Sequence, residues 1–383
     1  MNKIPEGYKQ TEIGVIPSDW EKKLMDEVSI SINSGKSKTK SELGGNFPIY
    51  GSTGIIGFSS KFDYEGDRLL IARVGANAGT VNLVDYKYCV SDNTLMVRLQ
   101  KEIDFLFIFY FLNYSNLNKL IFGSGQPLIT GTQLKNLPIP LPPTKSEQTA
   151  IATALNDTDN FITQLEKLIA KKRNIKQGAM QELLKPKDGW EVRKLGELFE
   201  LNPSKPLIKQ EEIVIFLGME DISEEGRITN QHLILFSQIK KGLTFFKKND
   251  VIVAKITPCF ENGKGVCLDT LQTINGFGST EFHVLRINEK SVPRFVFYHT
   301  QTQQFRKKLE PEMTGTAGQK RVPSKSIVNY QVSVPPLQEQ TRIAQILSDM
   351  DAEIEALEKK LDKYKMIKQG MMENLLTGKI RLV

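Results

Sequence analysis

Two cations stand at matching places in this chain. Arg73 closes the apolar run of residues 66–74, and Lys255 closes that of residues 249–256. Each leads into a glycine-containing loop, Gly75–Gly79 in one case and Thr257–Lys264 in the other. A cation at the end of a short β-branched run can reach a DNA phosphate or bond a guanine edge. Glycines in the following loop let the backbone come close to a duplex. The same chemistry makes candidates of Lys36, Lys38 and Lys40, which lie in a Ser/Gly/Lys-rich stretch, residues 28–60. Asn77 and Gln126 in the first half join them, as do Lys264, Gln319, Lys320 and Arg321 in the second. For each side chain alone, the plain alternative is a solvated surface cation or amide. Recurrence at matching points is what favours a DNA-contacting role.

Other chemistries fail on spacing. His232, His283 and His299 have no metal-type partner nearby in sequence. Gly35-Lys36-Ser37 lacks the upstream glycine of a phosphate loop. Phe122–Gly125 resembles a methyl-donor glycine loop but follows a helical pattern rather than an apolar strand. Asn202-Pro203-Ser204 lacks the second proline and aromatic of an amino-methylating site. Glu21-Lys22-Lys23 has no paired acid before it, as a nuclease would need. No catalytic constellation and no metal site is expected.

The elements that must position the cations are set by a duplication. Glu147-Gln148, Ile151-Ala152, Asp157, Asp159, Leu165-Glu166-Lys167, Ile175–Gly178, Met180 and Leu183-Leu184 all recur 192 residues later, without a gap, from Glu339-Gln340 to Leu375-Leu376. A self-match at a fixed period marks a duplicated structural unit. Both copies, residues 146–184 and their counterpart, are expected as helices entered after proline pairs, Pro142-Pro143 and Pro335-Pro336. Apolar residues alternate at steps of four and three from Ile343 to Leu375, the pattern of a coiled-coil seam. In the first copy Lys172 and Lys176 fall on that seam, so this end is expected to splay or to rotate toward Leu168 and Ile175. The duplication extends outward. Trp20-Glu21 and Trp190-Glu191 each open a mixed segment, and these tryptophans are expected to anchor the two globular parts. Phe109-Tyr110 matches Phe297-Tyr298 within a probable helix. The order is globular, helix, globular, helix: residues 1–145, 146–187, 188–336 and 337–383. The fold class expected is α+β, two mixed domains separated by two long helices in an antiparallel coiled coil with a pseudo-twofold repeat.

Composition fits this reading without requiring it. The net charge of +7 over 383 residues is spread as +2, +2, +3 and zero over those four parts. A DNA-binding face must therefore come from folding and not from a basic tail. Three cysteines, Cys89, Cys259 and Cys267, lack metal spacing and fit a reducing cytoplasm. The most apolar run, Phe105–Leu112, falls far short of the roughly 20 residues that span a bilayer.

Taken together, Thr11–Trp20, Pro-Pro ahead of Glu147-Gln148 and of Glu339-Gln340, Ile-Lys-Gln-Gly twice, and the closing Leu-Leu-Thr-Gly-Lys379-Ile-Arg381 resemble the specificity subunit of type I restriction–modification systems. The resemblance implies two target-recognition domains, each reading one half of a bipartite double-stranded DNA target. It implies long helices that set the spacer and dock two modification subunits, with restriction subunits joining them. It also implies a non-catalytic chain with no cofactor of its own; S-adenosylmethionine, ATP and Mg2+ would belong to the partner subunits. Two other readings stay open on the residues alone: a DNA-binding regulator without enzyme partners, and a coiled-coil scaffold that binds no DNA.

Overall fold

The computed structural model describes residues 4–37, 41–42, 44–121, 128–316 and 318–382. It divides into two compact units, residues 1–167 with 359–383, and residues 168–358. Both long helices form where the repeat places them, Lys145–Leu183 and Leu337–Leu375. Each has 39 residues, and both ends are offset by 192 (337 − 145 and 375 − 183).

The repeated Glu-Gln pair explains how each helix is set. Gln148 is buried at the first helix start. Its Oε1 accepts from the Asp104 amide at 2.8 Å, and its Nε2 donates to the Pro142 carbonyl at 3.2 Å. Gln340 repeats this: Oε1 accepts from the Ser291 hydroxyl at 2.6 Å and the Val292 amide at 3.2 Å, and Nε2 donates to the Pro335 carbonyl at 2.9 Å. One buried amide satisfies backbone groups that would otherwise be stranded at the junction. It thereby staples the long helix to the start of a globular helix, Phe105–Tyr114 or Pro293–Gln301.

The globular parts share one topology. In the first unit an antiparallel sheet runs in the order Ser29–Ser34, Thr94–Leu99, Arg68–Ala72, Val81–Val84. A second sheet runs Gly54–Ser59, Phe47–Gly51, Lys87–Val90, Tyr64–Glu65, with a parallel pair at its centre. The second unit repeats both, as Phe199–Leu201, Phe282–Ile287, Val251–Ala254, Gly265–Cys267 and as His232–Leu235, Ile213–Leu217, Asn275–Gly278, Thr244–Lys247. A two-stranded ribbon beside each long helix, Glu21–Leu24 with Pro138–Leu141 and Glu191–Lys194 with Gln331–Val334, ties the start of each globular segment to its end.

The division into compact units differs from a split into globular parts and separate helices, for a physical reason. Ile151, Ala152, Leu155, Leu375 and Leu376 belong to the first unit's core, and Ile343, Leu347 and Leu184 to the second's. Each unit therefore takes part of both helices. Trp20 is fully buried in the first core, with the Arg381 guanidinium 5.7 Å from its ring. Arg381 also donates to Asp19 at 2.8 and 3.0 Å and to Glu147, so the last residues clasp the first unit. Trp190 packs against the second core, half-buried.

Within each unit the helices run antiparallel. In the first, Phe161 lies 4.4 Å from Tyr364, Glu166 pairs with Lys365 at 2.8 Å and Asp159 with Lys368 at 2.6 Å. In the second, Lys172 pairs with Glu353 at 2.6 Å and Lys176 with Asp351. The expectation of splaying or rotation around the two lysines is thus corrected. Leu168 and Ile175 stay exposed, at 39% and 45%. The lysines keep their seam positions because each meets a carboxylate of the other helix. No helix among the described residues is long and apolar enough to cross a membrane.

Candidate nucleic-acid interface

The two Arg73/Lys255 loops are built alike. In the first unit the Arg73 amide donates to the Asn93 carbonyl at 3.1 Å, and the Arg73 carbonyl accepts from Ile129 at 2.8 Å. In the second the Lys255 amide donates to the Glu281 carbonyl at 2.9 Å, and its carbonyl accepts from Val322 at 2.8 Å. Each cation thus sits between a turn that opens the central strand of the first sheet and a segment far downstream. Isolated bridges continue the arrangement, Val74 with Leu128 and Ile256 with Arg321. Segments distant in sequence, 73–79 with 128–129 and 255–264 with 320–322, meet through backbone bonds.

The glycines serve the geometry directly. Gly75 and Gly79 have φ of +77° and +91°, and Gly263 has +79°, a region that favours glycine. The first loop closes through Ala78 to Gly75 at 3.1 Å and Thr80 to Asn77 at 3.0 Å, leaving Asn77 exposed. In the second loop the Lys264 amide donates to Cys259 at 2.9 Å. Burial first raises the Cys259 thiol above its usual value, which leaves it a poor nucleophile.

Side-chain charges are handled differently at each place. The Arg73 Nη1 reaches the Asp92 carbonyl at 3.4 Å, while its buried Nε has no partner among the described residues. Lys36 is exposed and stands near the same turn, since its neighbour Gly35 donates to the Thr94 carbonyl at 2.9 Å. Arg321 grips Glu281 through Nε at 3.0 Å and Nη2 at 2.8 Å. That guanidinium holds the Glu281 carboxyl below the usual carboxylate range. Lys255 is half-buried beside Glu281 and His283. His283 donates from Nε2 to the Val322 carbonyl at 3.0 Å, which leaves Nδ1 to accept from Asn202 at 3.5 Å. Burial lowers its pKa, so it is neutral at pH 7. Lys264 donates to the Met219 carbonyl at 3.0 Å and so is engaged inside its own unit. Gln319 and Lys320 are exposed. Lys38, Lys40 and Gln126 lie outside the described residues.

The structure therefore places Lys36 and Arg73 by one turn, with Asn77 in the loop that follows Arg73, and Lys255 and Arg321 by its counterpart, with Gln319 and Lys320 next to Arg321 in the chain. The sequence reading missed the turns themselves, Ser91–Asn93 and Ser279–Glu281. Both immediately precede a strand of the first sheet in their unit, Thr94–Leu99 and Phe282–Ile287. An exposed cation or amide on a glycine loop, backed by a rigid sheet, can contact phosphate and base edges.

Known proteins are similar to this chain in sequence and in fold. The type I restriction modification DNA specificity domain matches the chain twice, over residues 17–177 and 187–365. The EcoAI type I restriction enzyme specificity subunit of Escherichia coli is 39% identical over 158 residues, 41% of this chain and 27% of that subunit. The EcoEI specificity subunit of the same organism is 33% identical over 194 residues, 49% of this chain and 33% of that subunit. These matches span only about a quarter to a third of those two subunits. The MjaVIII specificity subunit of Methanocaldococcus jannaschii is 28% identical over 419 residues, 98% of this chain and 96% of that one. Among solved structures, the S subunit of a type I restriction–modification system from M. genitalium superposes with a TM-score of 0.66 at 18% identity, covering 98% of both chains. That likeness supports the fold, and the double domain match supports more. The chain belongs to the type I restriction modification DNA specificity domain family.

Proposed function

We propose that this chain is the non-catalytic DNA-specificity subunit of a type I restriction–modification complex. Each unit reads one half of a bipartite double-stranded target, and the long helices set the spacer and dock two modification subunits, to which restriction subunits are added. S-adenosylmethionine, ATP and Mg2+ act on those partners, in the cytoplasm. The observation that carries this reading is the doubled loop: a cation, a glycine loop and a polar turn, built twice by one topology around side chains that differ. One frame with two sets of side chains suits two different half-sites. Each long helix of 39 residues, at about 1.5 Å per residue, measures roughly 58 Å. Successive major-groove faces recur about every 34 Å, a separation shorter than one such helix.

The test is reconstitution with a modification subunit, followed by sequencing of the methylated sites. Two short motifs at a fixed separation are expected. A single contiguous motif, or methylation without sequence preference, would overturn the bipartite reading. Full methylation by the modification subunit without this chain would overturn the specificity role.

A further inference from the structure

One buried imidazole in the second unit joins three segments that lie far apart in the chain. His283 is only 4% exposed. It stands in the strand Phe282–Ile287, two residues beyond the Glu281 carbonyl that accepts from the Lys255 amide. Its Nε2 donates at 3.0 Å to the carbonyl of Val322, which follows Lys320-Arg321 and whose own amide donates to the Lys255 carbonyl. That bond sets the neutral tautomer, so Nδ1 is the acceptor for Asn202 Nδ2 at 3.5 Å. Asn202 brings in the third segment. Its backbone is left-handed, with φ of +49°, and its Oδ1 accepts from the Val284 amide at 2.9 Å. From there the chain leaves the first sheet along residues 203–209. Pro203 is buried, Ile208 packs on the cluster around Phe277, and Lys205, Leu207 and Lys209 are exposed.

The duplicated frame does not require this imidazole. Ala254 faces Phe282 in the second unit as Ala72 faces Thr94 in the first, which makes Leu95 the counterpart of His283. The Ile129 amide meets the Arg73 carbonyl as the Val322 amide meets that of Lys255. Leu95 and Ile129 both belong to the first unit's apolar core, so the same frame closes there without a polar group. Burying an imidazole costs free energy unless its nitrogens are bonded. Once bonded, it fixes one arrangement of the segments it joins. A reader of base edges needs that, since its side chains must be held to within about 0.5 Å.

We infer that His283 is a positioning residue of the second reader: through Val322 and Asn202 it holds Lys320 and residues 203–209 in place relative to Lys255, and so sets discrimination at one half-site. The inference rests on the bipartite reading above. Full chain carrying His283→Leu, the change to the residue type of the first unit, is reconstituted with the modification subunit, and its methylated sites are sequenced beside those of the wild type. One half-motif should relax, its discrimination falling about tenfold, the scale of lost base contacts. The other should stay as in the wild type. His283→Gln, whose amide can donate to Val322 and accept from Asn202, should keep both half-motifs. Asn202→Gly keeps the left-handed backbone and removes the side chain. It should relax the same half-motif, and it carries the test if His283→Leu fails to fold. Urea curves fix conditions in which each variant is folded, where a merely structural histidine would leave both half-motifs sharp. A wild type without two half-motifs overturns the bipartite reading and this inference with it. Two wild-type half-motifs that stay sharp in folded His283→Leu or in Asn202→Gly, or that relax together, overturn the positioning role alone. So does equal relaxation by His283→Leu and His283→Gln.

Discussion

Asp351→Ala should destabilise the second unit more than Asp159→Ala destabilises the first. The two aspartates are repeat counterparts, 192 residues apart, and their surroundings are alike in kind. Asp351 accepts from the Tyr298 hydroxyl at 2.8 Å and pairs with Lys176. Asp159 accepts from the Tyr110 hydroxyl at 3.0 Å and pairs with Lys368 at 2.6 Å. Burial first, and the neighbouring carboxylate after it, raise both phenols well above the usual range, so both remain donors. Exposure differs. Lys176 and Asp351 are each 19% exposed, Lys368 and Asp159 27% and 33%. Removing one partner of a fully buried pair costs about 3–5 kcal/mol, while an exposed pair is worth about 0.2–1 kcal/mol. Interpolating by exposure, Asp351→Ala should cost roughly 2–3 kcal/mol and Asp159→Ala roughly 1 kcal/mol. Tyr298 keeps the Ser348 hydroxyl at 3.2 Å, so the larger loss reflects the stranded Lys176 ammonium.

Lys176→Met should cost less than Asp351→Ala, because Asp351 keeps its bond from Tyr298. The double change should cost less than the sum, with a coupling of roughly 1–2 kcal/mol. The assay is urea unfolding by tryptophan fluorescence. Trp20 reports the first unit and Trp190 the second, each isolated by a Trp→Phe change at the other. Equal losses from the two aspartates, or strict additivity of Lys176→Met with Asp351→Ala, would refute the argument that burial decides the strength of these pairs.

Further outcomes are expected. Arg73→Ala and Lys255→Ala should each weaken DNA binding at one half-site only, each lowering the salt slope by about one if it meets a phosphate; unchanged affinity at both half-sites would mark them as ordinary surface cations. Burial pushes the His299 imidazole down to about 4. The unfolded state then binds a proton that the folded state refuses, so stability is full above pH 6.5 and falls as pH drops toward 4. About 2 kcal/mol should be lost by pH 5, and His299→Leu should remove that slope in urea titrations of the second unit. Excising residues 162–168 with 354–360 takes about 10 Å from each helix and spares the Lys172, Lys176 and Lys368 ion pairs. Half-site sequences should persist while the preferred spacer shortens by up to about three base pairs; undiminished binding at the original spacing would contradict the ruler.

How much of this was legible in the sequence depends on the range of the interaction. Helix bounds were readable to one residue, because a proline pair, a seam of period 3.5 and an offset of 192 all constrain the same stretch. The topology of the globular parts was readable only as a run of matched strands. Which strand lies beside which is set by contacts tens of residues apart, such as Phe47–Gly51 running parallel to Lys87–Val90. The lysines were misjudged because a seam pattern scores each helix alone. Lys172 looks wrong for a dry position until Glu353 of the other helix is beside it. The candidate interface was legible in its cations and not in their engagement. Arg321 and Lys320 are adjacent in sequence, yet one is committed to Glu281 and the other is exposed. Glu281 is 40 residues from Arg321 and belongs to the turn that also receives Lys255. Both turns carry a carboxylate, Glu281 in one and Asp92 in the other; Glu281 is gripped by Arg321 beside Lys255, whereas Arg73 bonds the backbone carbonyl of Asp92. The two cations are therefore engaged differently, one through a backbone carbonyl and the other beside an Arg321–Glu281 pair. That difference resides in the turns and not in the cations that first drew attention.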